Sequence, residues 1–360
     1  MQSGIRARSL DNGNGLSMHV LEAGDPGRPC LLLLHGFPEL AYSWRKVMPA
    51  LAAAGFHVVA PDVRGYGRTI GRDAGWDASY DGDVDAFRLS NLARDVEGLL
   101  RALGHESVAA VVGHDSGAAV AAYCALSRPD LFHSVVLMSA PFAWVPAPDI
   151  GAELAALPRP RKHYQWYYST REANADMWQC AQGVHAFLRA YFHMKSADWK
   201  GNRPFRLASW SAAELAKMPT YYIMDLAKNM AETVAPEMPS PAEIAACRWL
   251  PEDELAVYSA EFARTGFQGG LQWYRCRTEG RNKNLAAFAG RSIDVPSAFI
   301  AGASDWGIYQ VPGAFEAMQT SACTDMRGCH LVAGAGHWVQ QEKPDEVVRL
   351  LREFLAQLKG

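Results

Sequence analysis

Gly113-His114-Asp115-Ser116-Gly117 is the stretch that decides the fold class of this chain. Residues 107–112 before it form an apolar run suited to a buried strand. Residues 118–126 after it are rich in alanine and suited to a helix. A strand, a tight turn and a helix around G-x-Nu-x-G make the setting of a nucleophile elbow. Such a turn strains its central residue and requires small flanking residues. The third position of the frame is Asp115, so Ser116 is a decoy. A serine in that position attacks acyl carbonyls. A carboxylate suits displacement at a saturated carbon and leaves an alkyl–enzyme ester.

The segments around the elbow read as alternating strands and helices. Residues 5–10 and 16–21 flank the turn Asp11-Asn12-Gly13-Asn14-Gly15. Residues 30–34 are wholly apolar, as in a buried parallel strand. A helix is expected over 43–54, a strand over 57–60 and an amphipathic helix over 89–103, ended by Gly104. Further strands are expected at 134–138, 295–301 and 326–332, and a closing helix at 344–358. This alternation implies an α/β fold with a mostly parallel, eight-stranded sheet flanked by helices. Between residues 142 and 276 the strand pattern disappears, aromatic residues become dense, and helices are expected at 211–218, 227–234 and 252–264. The two flanks, 1–141 and 277–360, are needed together to complete one sheet. Residues 142–276 therefore read as an inserted helical cap and not as a separate domain.

Composition excludes several classes. The chain has 360 residues, 49% hydrophobic and 20% charged, which is ample for a large soluble core. A net charge of −3 offers no electrostatic footprint for nucleic acid or an anionic membrane. No apolar run reaches the length of a membrane span. The start, Met1-Gln2-Ser3-Gly4-Ile5-Arg6, lacks the apolar centre of a signal peptide. The seven cysteines are scattered without a C-x-x-C, which fits reduced thiols and a cytoplasmic location. No cofactor or metal is expected, because H-E-x-x-H, the phosphate loop and a post-strand G-x-G-x-x-G are all missing.

An elbow nucleophile needs a histidine on a late loop and an acid to orient it. His337, in Ala333-Gly334-Ala335-Gly336-His337-Trp338, follows the expected strand 326–332. Asp305 lies just past the strand 295–301. The order Asp115, Asp305, His337 is that of α/β-hydrolases. His35-Gly36-Phe37-Pro38-Glu39 follows the strand 30–34, so the N–H groups of Phe37 and Ser116 are candidates for an oxyanion hole. The same donors, at a helix N-terminus, should keep Asp115 ionised.

These motifs, together with Asp62-Val63-Arg64-Gly65-Tyr66-Gly67, resemble those of α/β-hydrolase-fold epoxide hydrolases over nearly the whole chain. Two cap motifs carry the distinction. Thr265-Gly266-Phe267-Gln268-Gly269-Gly270-Leu271-Gln272-Trp273-Tyr274-Arg275 is similar to the stretch that holds one ring-opening tyrosine, at Tyr274. Tyr164-Gln165 is similar to the stretch that holds the other, with Tyr167 and Tyr168 as close neighbours. The resemblance implies that Asp115 opens an epoxide while Tyr164 and Tyr274 hold its oxygen. It implies that His337 and Asp305 then drive hydrolysis of the ester to a vicinal diol. Position relative to the motifs suggests Trp144, Gln165 and Trp338 as pocket residues. The expected partners are a small apolar epoxide and water, with the chain a monomer or homodimer.

Two other readings remain open at this level. Haloalkane dehalogenases share the fold and the aspartate nucleophile, but in that family an indole N–H commonly comes from the residue after it, here Ser116. A non-catalytic small-molecule binder on the same scaffold would have no need for all five of Asp115, Asp305, His337, Tyr164 and Tyr274. The segment 197–247, with Trp199, Trp210, Tyr221 and Tyr222, is expected to widen the tunnel, form a subunit contact or thicken the cap.

Overall fold

The computed structural model describes residues 4–72 and 77–358. Its centre is a sheet of β1 (Ile5–Asp11), β2 (Leu16–Ala23), β3 (Cys30–Leu34), β4 (His57–Pro61), β5 (Ile70–Gly71), β6 (Ala110–His114), β7 (Val135–Met138), β10 (Ser297–Gly302) and β11 (Met326–Val332). The order across it is β1-β2-β4-β3-β6-β7-β10-β11, with the two-residue β5 attached to β2. β2 runs antiparallel to β1 and β4, and from β4 to β11 all neighbours are parallel. The expected eight strands form this path, and β5 is an addition that its length hides from the sequence.

The central strands are apolar throughout because both faces of the sheet are covered. Successive side chains point to opposite faces. Leu32, Leu34, Val111, Val135, Leu137 and Phe299 join one core, under the helices Leu89–Leu103 and Ser116–Ser127. Leu31, Leu33, Val112, Val136, Met138 and Ile300 join the other, against Met48–Ala53 and Pro344–Gln357. Helix Leu89–Leu103 keeps its expected bounds and ends at Gly104, whose φ of 80° places it in the left-handed region that favours glycine.

Two expectations are corrected. The helix expected over 43–54 is broken. A 3₁₀ turn covers Ala41–Trp44 and an α-helix begins only at Met48–Ala53. Pro49, in the first turn of that helix, has no N–H to donate backwards, so it starts a helix and cannot continue one. The segment 142–276 is not free of strands either. β8 (Arg161–His163) and β9 (Ile223–Asp225) pair antiparallel. Strands of three residues, Arg161-Lys162-His163 and Ile223-Met224-Asp225, are too short to carry a readable alternation.

The cap elements lie in the chain between β7 and β10. Helix Glu252–Thr265 appears near its expected bounds, whereas the helices expected at 211–218 and 227–234 shorten to Ala212–Leu215 and Met230–Val234. Asn229 with Glu232 forms a capping box that fixes the later start of the last of these. Helix Gln268–Thr278 docks on the core through glycines. A Cβ on Gly65 would meet the Gly269 carbonyl oxygen at 2.5 Å, so only a pair without side chains can approach this closely. The Trp273 indole N–H, donating to the Arg64 carbonyl at 2.9 Å, fixes the rotation of the helix and carries Tyr274 inward. No helix among the described residues is long and apolar enough to cross a membrane.

Candidate active site

Asp115 stands at the C-terminal end of β6 with φ 53° and ψ −122°, and the helix Ser116–Ser127 starts directly after it. Such backbone strain costs of order 1–3 kcal/mol and persists only where the surroundings hold it. A Cβ on Gly117 would lie 2.5 Å from the Leu34 carbonyl oxygen, and one on Gly113 would lie 2.7 Å from the Ala118 Cα. Both glycines are therefore demanded by the closeness of β3, β6 and the helix.

The end of β3 delivers the first donor. The Phe37 N–H donates to Asp115 Oδ1 at 3.1 Å. Gly36 is the closest neighbour, and a Cβ there would sit 2.6 Å from that same Oδ1. Gly36→Ala is expected to push this loop away and weaken the Phe37 contact. Turnover should fall about 10²-fold, as when one oxyanion donor is lost. Steady-state kcat beside a melting curve checks this, and unchanged kcat would remove the loop from the chemistry.

Asp305 and His337 come from the loops after β10 and β11. His337 Nδ1 lies 3.1 and 3.2 Å from the two Asp305 carboxylate oxygens, which fixes the ring with Nε2 pointing the other way. That Nε2 is 3.3 Å from Asp115 Oδ2 without the alignment of a hydrogen bond. Asp305 Oδ1 accepts from the Gly307 N–H at 2.7 Å. Burial alone would raise the Asp115 pKa. The adjacent His337 ring, then the charges of Lys195 and His114, outweigh it and hold the carboxyl well below its usual range. Asp305 is likewise lowered against burial, chiefly by His337. Both acids are carboxylates at neutral pH.

Tyr164 and Tyr274 face each other with ring centroids 5.9 Å apart. They line one cavity of about 390 Å³ together with Asp115, Ser116 and Gln165. Gln165 Nε2 donates to the Tyr164 oxygen at 3.0 Å, and the Tyr164 hydroxyl donates to Gln310 Oε1 at 3.1 Å. Burial, with the Asp115 charge, raises both tyrosine pKa values, so both phenols keep their protons. The neighbours are engaged elsewhere. Tyr167 donates to Asp176 at 2.7 Å and Tyr168 to the Tyr191 oxygen at 3.2 Å.

Two expected pocket residues do not line the cavity. Trp144 is 39% exposed and its indole N–H donates to the Arg291 carbonyl, while Phe142, Ala143 and Val145 supply the wall instead. Trp338 is fully buried, donates to the Phe192 carbonyl and packs edge-on against His337 at 4.7 Å. It supports the histidine from behind, because the chain turns into the helix Val339–Glu342 directly after it. None of the residues lining this cavity comes from 197–247. That segment acts indirectly, since the Tyr222 carbonyl accepts the Tyr164 backbone N–H at 2.9 Å.

Sequence reading missed several polar groups. His114 Nδ1 meets Glu39 Oε2 at 2.6 Å and its Nε2 meets the His337 carbonyl at 2.7 Å. Both ring nitrogens thus face acceptors, which requires a doubly protonated ring. The His114 pKa is accordingly raised, with Glu39 overcoming burial. Gln340 donates to Glu39 Oε1 at 2.9 Å. Glu39 and His114 were both in quoted motifs, but nothing in their spacing tells that they meet. Gln310 and Lys195 carried no motif at all. Among the described residues, Cys30, His57 and His105 could hold a metal ion, but they lie on the opposite end of the sheet from Asp115.

Comparison with known proteins agrees with this geometry. The family model described as alpha/beta hydrolase fold matches residues 29–344. Epoxide hydrolase A of Mycobacterium tuberculosis is 36% identical over 99% of both chains. Among solved structures, an epoxide hydrolase from an endophytic Streptomyces superposes with a TM-score of 0.80 at 33% identity, covering 99% of this chain and 97% of the other. Epoxide hydrolase A from Mycobacterium thermoresistibile gives 0.75 at 34% identity over 98% of both. Matched along its whole length in sequence and in fold, the chain belongs to the epoxide hydrolases of the α/β-hydrolase fold.

Proposed function

We propose that Asp115 is the nucleophile of this epoxide hydrolase and that Tyr164 and Tyr274 are its ring-opening acids. The observation that carries this is the meeting of two protonated tyrosines and one ionised aspartate in a single cavity. Asp115 attacks an epoxide carbon. The C–O bond of the ring breaks, and the tyrosine hydroxyls hold and protonate the departing alkoxide. The product of this step is an ester of Asp115.

His337 then takes a proton from water, and the hydroxide attacks the carboxyl carbon of the ester. The N–H groups of Phe37 and Ser116 receive the charge that develops on the ester oxygen. Collapse returns the proton from His337 to the leaving oxygen and releases a vicinal diol. The second proton of the attacking water, left on the Asp115 carboxyl, reprotonates the tyrosine that served the alkoxide, which restores both the carboxylate and the phenol. Asp305 keeps the imidazole in the required tautomer and orientation. The substrate in this reading is a small apolar epoxide, supported by Phe87, Leu89, Leu92 and Val311 in the cavity wall. The cap spans 142–276 on a core of 1–141 and 277–360. A cytoplasmic setting is supported by the seven free cysteines.

A single turnover in heavy-oxygen water tests the route. The first diol should be unlabelled, because its new oxygen comes from Asp115, and the label should be found in the peptide that contains Asp115. A labelled diol in the first turnover would mean direct attack by water. Tyr274→Phe and Tyr164→Phe should each slow ester formation about 10²–10³-fold with the fold intact. Stopped-flow tryptophan fluorescence reads that step, and an unchanged rate would return the tyrosine concerned to a packing role.

A further inference from the structure

A second cluster of chemistry-bearing side chains lies at the end of the sheet away from Asp115. Cys30 opens β3 and His57 opens β4, and the two are direct partners in the parallel register. Partners on neighbouring strands put their side chains on one face. Cys30 falls on the face covered by the helix Leu89–Leu103. Gly104 ends that helix, and the His105 N–H donates back to the Leu100 carbonyl at 3.0 Å, which folds His105 over the strand ends.

The donor atoms of these three residues meet. His57 Nδ1 lies 2.7 Å from His105 Nε2. One donor atom of each residue, the Cys30 sulfur among them, lies within 4.8 Å of the other two. Around tetrahedral zinc, sulfur and nitrogen donors stand about 3.3–3.6 Å apart, so shifts of about 1 Å bring the three to that spacing. Packing does not ask for these residue types. Cys30 and His57 are 2% and 0% exposed, where their neighbours Leu31, Leu32, Val58 and Val59 are plain hydrocarbon. His105 is partly exposed and gives an ion its way in.

The orientation of His57 is fixed from its other side. Nε2 meets Glu22 Oε2 at 3.0 Å, both side chains being fully buried. Burial alone would raise the Glu22 pKa, but hydrogen bonds from His57 and Arg8 and the charges of Arg8 and Arg6 bring it down to about 2. A carboxylate only accepts, so Nε2 is the donor and Nδ1 is the nitrogen turned to His105. A carboxylate behind the imidazole is the usual outer support of a metal-bound histidine. Burial and the charge of His57 lower the His105 pKa, so that ring is neutral at pH 7.

We propose that Cys30, His57 and His105 bind a divalent ion of the zinc class, with a fourth position open to water beside His105. One sulfur and two imidazoles suit zinc, whereas calcium and magnesium take oxygen. Burial pushes the Cys30 thiol up, so without an ion it stays protonated. Binding expels that proton to solvent and leaves a thiolate on the metal. The ion ties β3, β4 and the turn after Leu89–Leu103 together. Motif reading misses the set because its members come from three elements, with His57 and His105 48 positions apart. The site is independent of the epoxide reaction.

Cobalt(II), which enters zinc sites and gains a charge-transfer band from thiolate, is titrated into the reduced full-length protein. The band should saturate at one equivalent, and zinc should bleach it. Cys30→Ser should remove the band, and His105→Gln should weaken cobalt binding at least tenfold. Zinc at about a hundredfold over its Kd should raise the wild-type melting temperature by about 3–4 °C, and that of His105→Gln by about half as much or less. Should Cys30→Ser fail to fold, His105→Gln, with its partly exposed side chain, is read alone. Absence of the band in wild type would overturn the proposal. So would a band and thermal shift that survive unchanged in His105→Gln, which would place the metal on other cysteines.

Discussion

With His337 replaced by glutamine, the protein gains the mass of one epoxide molecule and retains it. Glutamine fills the space but takes no proton from water, so the first half-reaction proceeds and the second stalls. Hydrolysis of the ester should slow about 10³–10⁴-fold, the upper range for a lost general base. Intact mass after mixing with styrene oxide reads the adduct, and a peptide map places it on the peptide containing Asp115. Haloalkanes run in parallel test the remaining alternative chemistry. An adduct with haloalkanes alone would reassign Tyr164 and Tyr274 to packing. An unmodified protein with both would remove Asp115 as the nucleophile.

Asp115→Ala is expected to show no adduct and no turnover, a loss of about 10⁴-fold or more. The tyrosines and His337 remain, yet nothing is left to make the ester. The fold should survive, since the strained backbone position is set by Gly113, Gly117 and the ends of β3 and β6 and not by the carboxylate. A melting curve and the rate of diol formation check both parts together. Residual turnover within tenfold of wild type would mean that water attacks the epoxide directly.

The difference between the two outcomes has a structural basis. Asp115 Oδ1 accepts the Phe37 N–H, while Oδ2 faces His337 Nε2 at 3.3 Å. One oxygen is held and the other borders the base. A water entering between His337 and the esterified carboxyl carbon would meet the base on one side and the electrophile on the other. Removing the base stops the second step only, and removing the carboxylate stops both.

The fold class was legible in the sequence because both faces of the sheet are buried. Wholly apolar strands such as residues 30–34 and turns rich in glycine are local facts. Asp115, Asp305 and His337 were legible for a similar reason. Each follows a strand directly, and a strand's end carries its neighbour to the same edge of a parallel sheet. Tyr274 could be read from a continuous motif, whereas Tyr164 stood beside two competitors that only their partners, Asp176 and Tyr191, distinguish. Trp144 and Trp338 were misplaced because adjacency in sequence says nothing of the side on which a loop residue falls.

The sequence by itself determined the sheet, the elbow and the placing of a carboxylate and not a hydroxyl at the centre of that elbow. These depend on residue type and on spacing within a few positions. Tertiary structure alone decided what surrounds that carboxylate. Glu39 reaches His114 across 75 positions, Tyr164 meets Gln310 across 146, and Lys195 reaches the catalytic loop from the far end of a cap helix. Charge and hydrogen bonding act through space over a few ångströms, and only the folded chain brings groups so distant in sequence within that range.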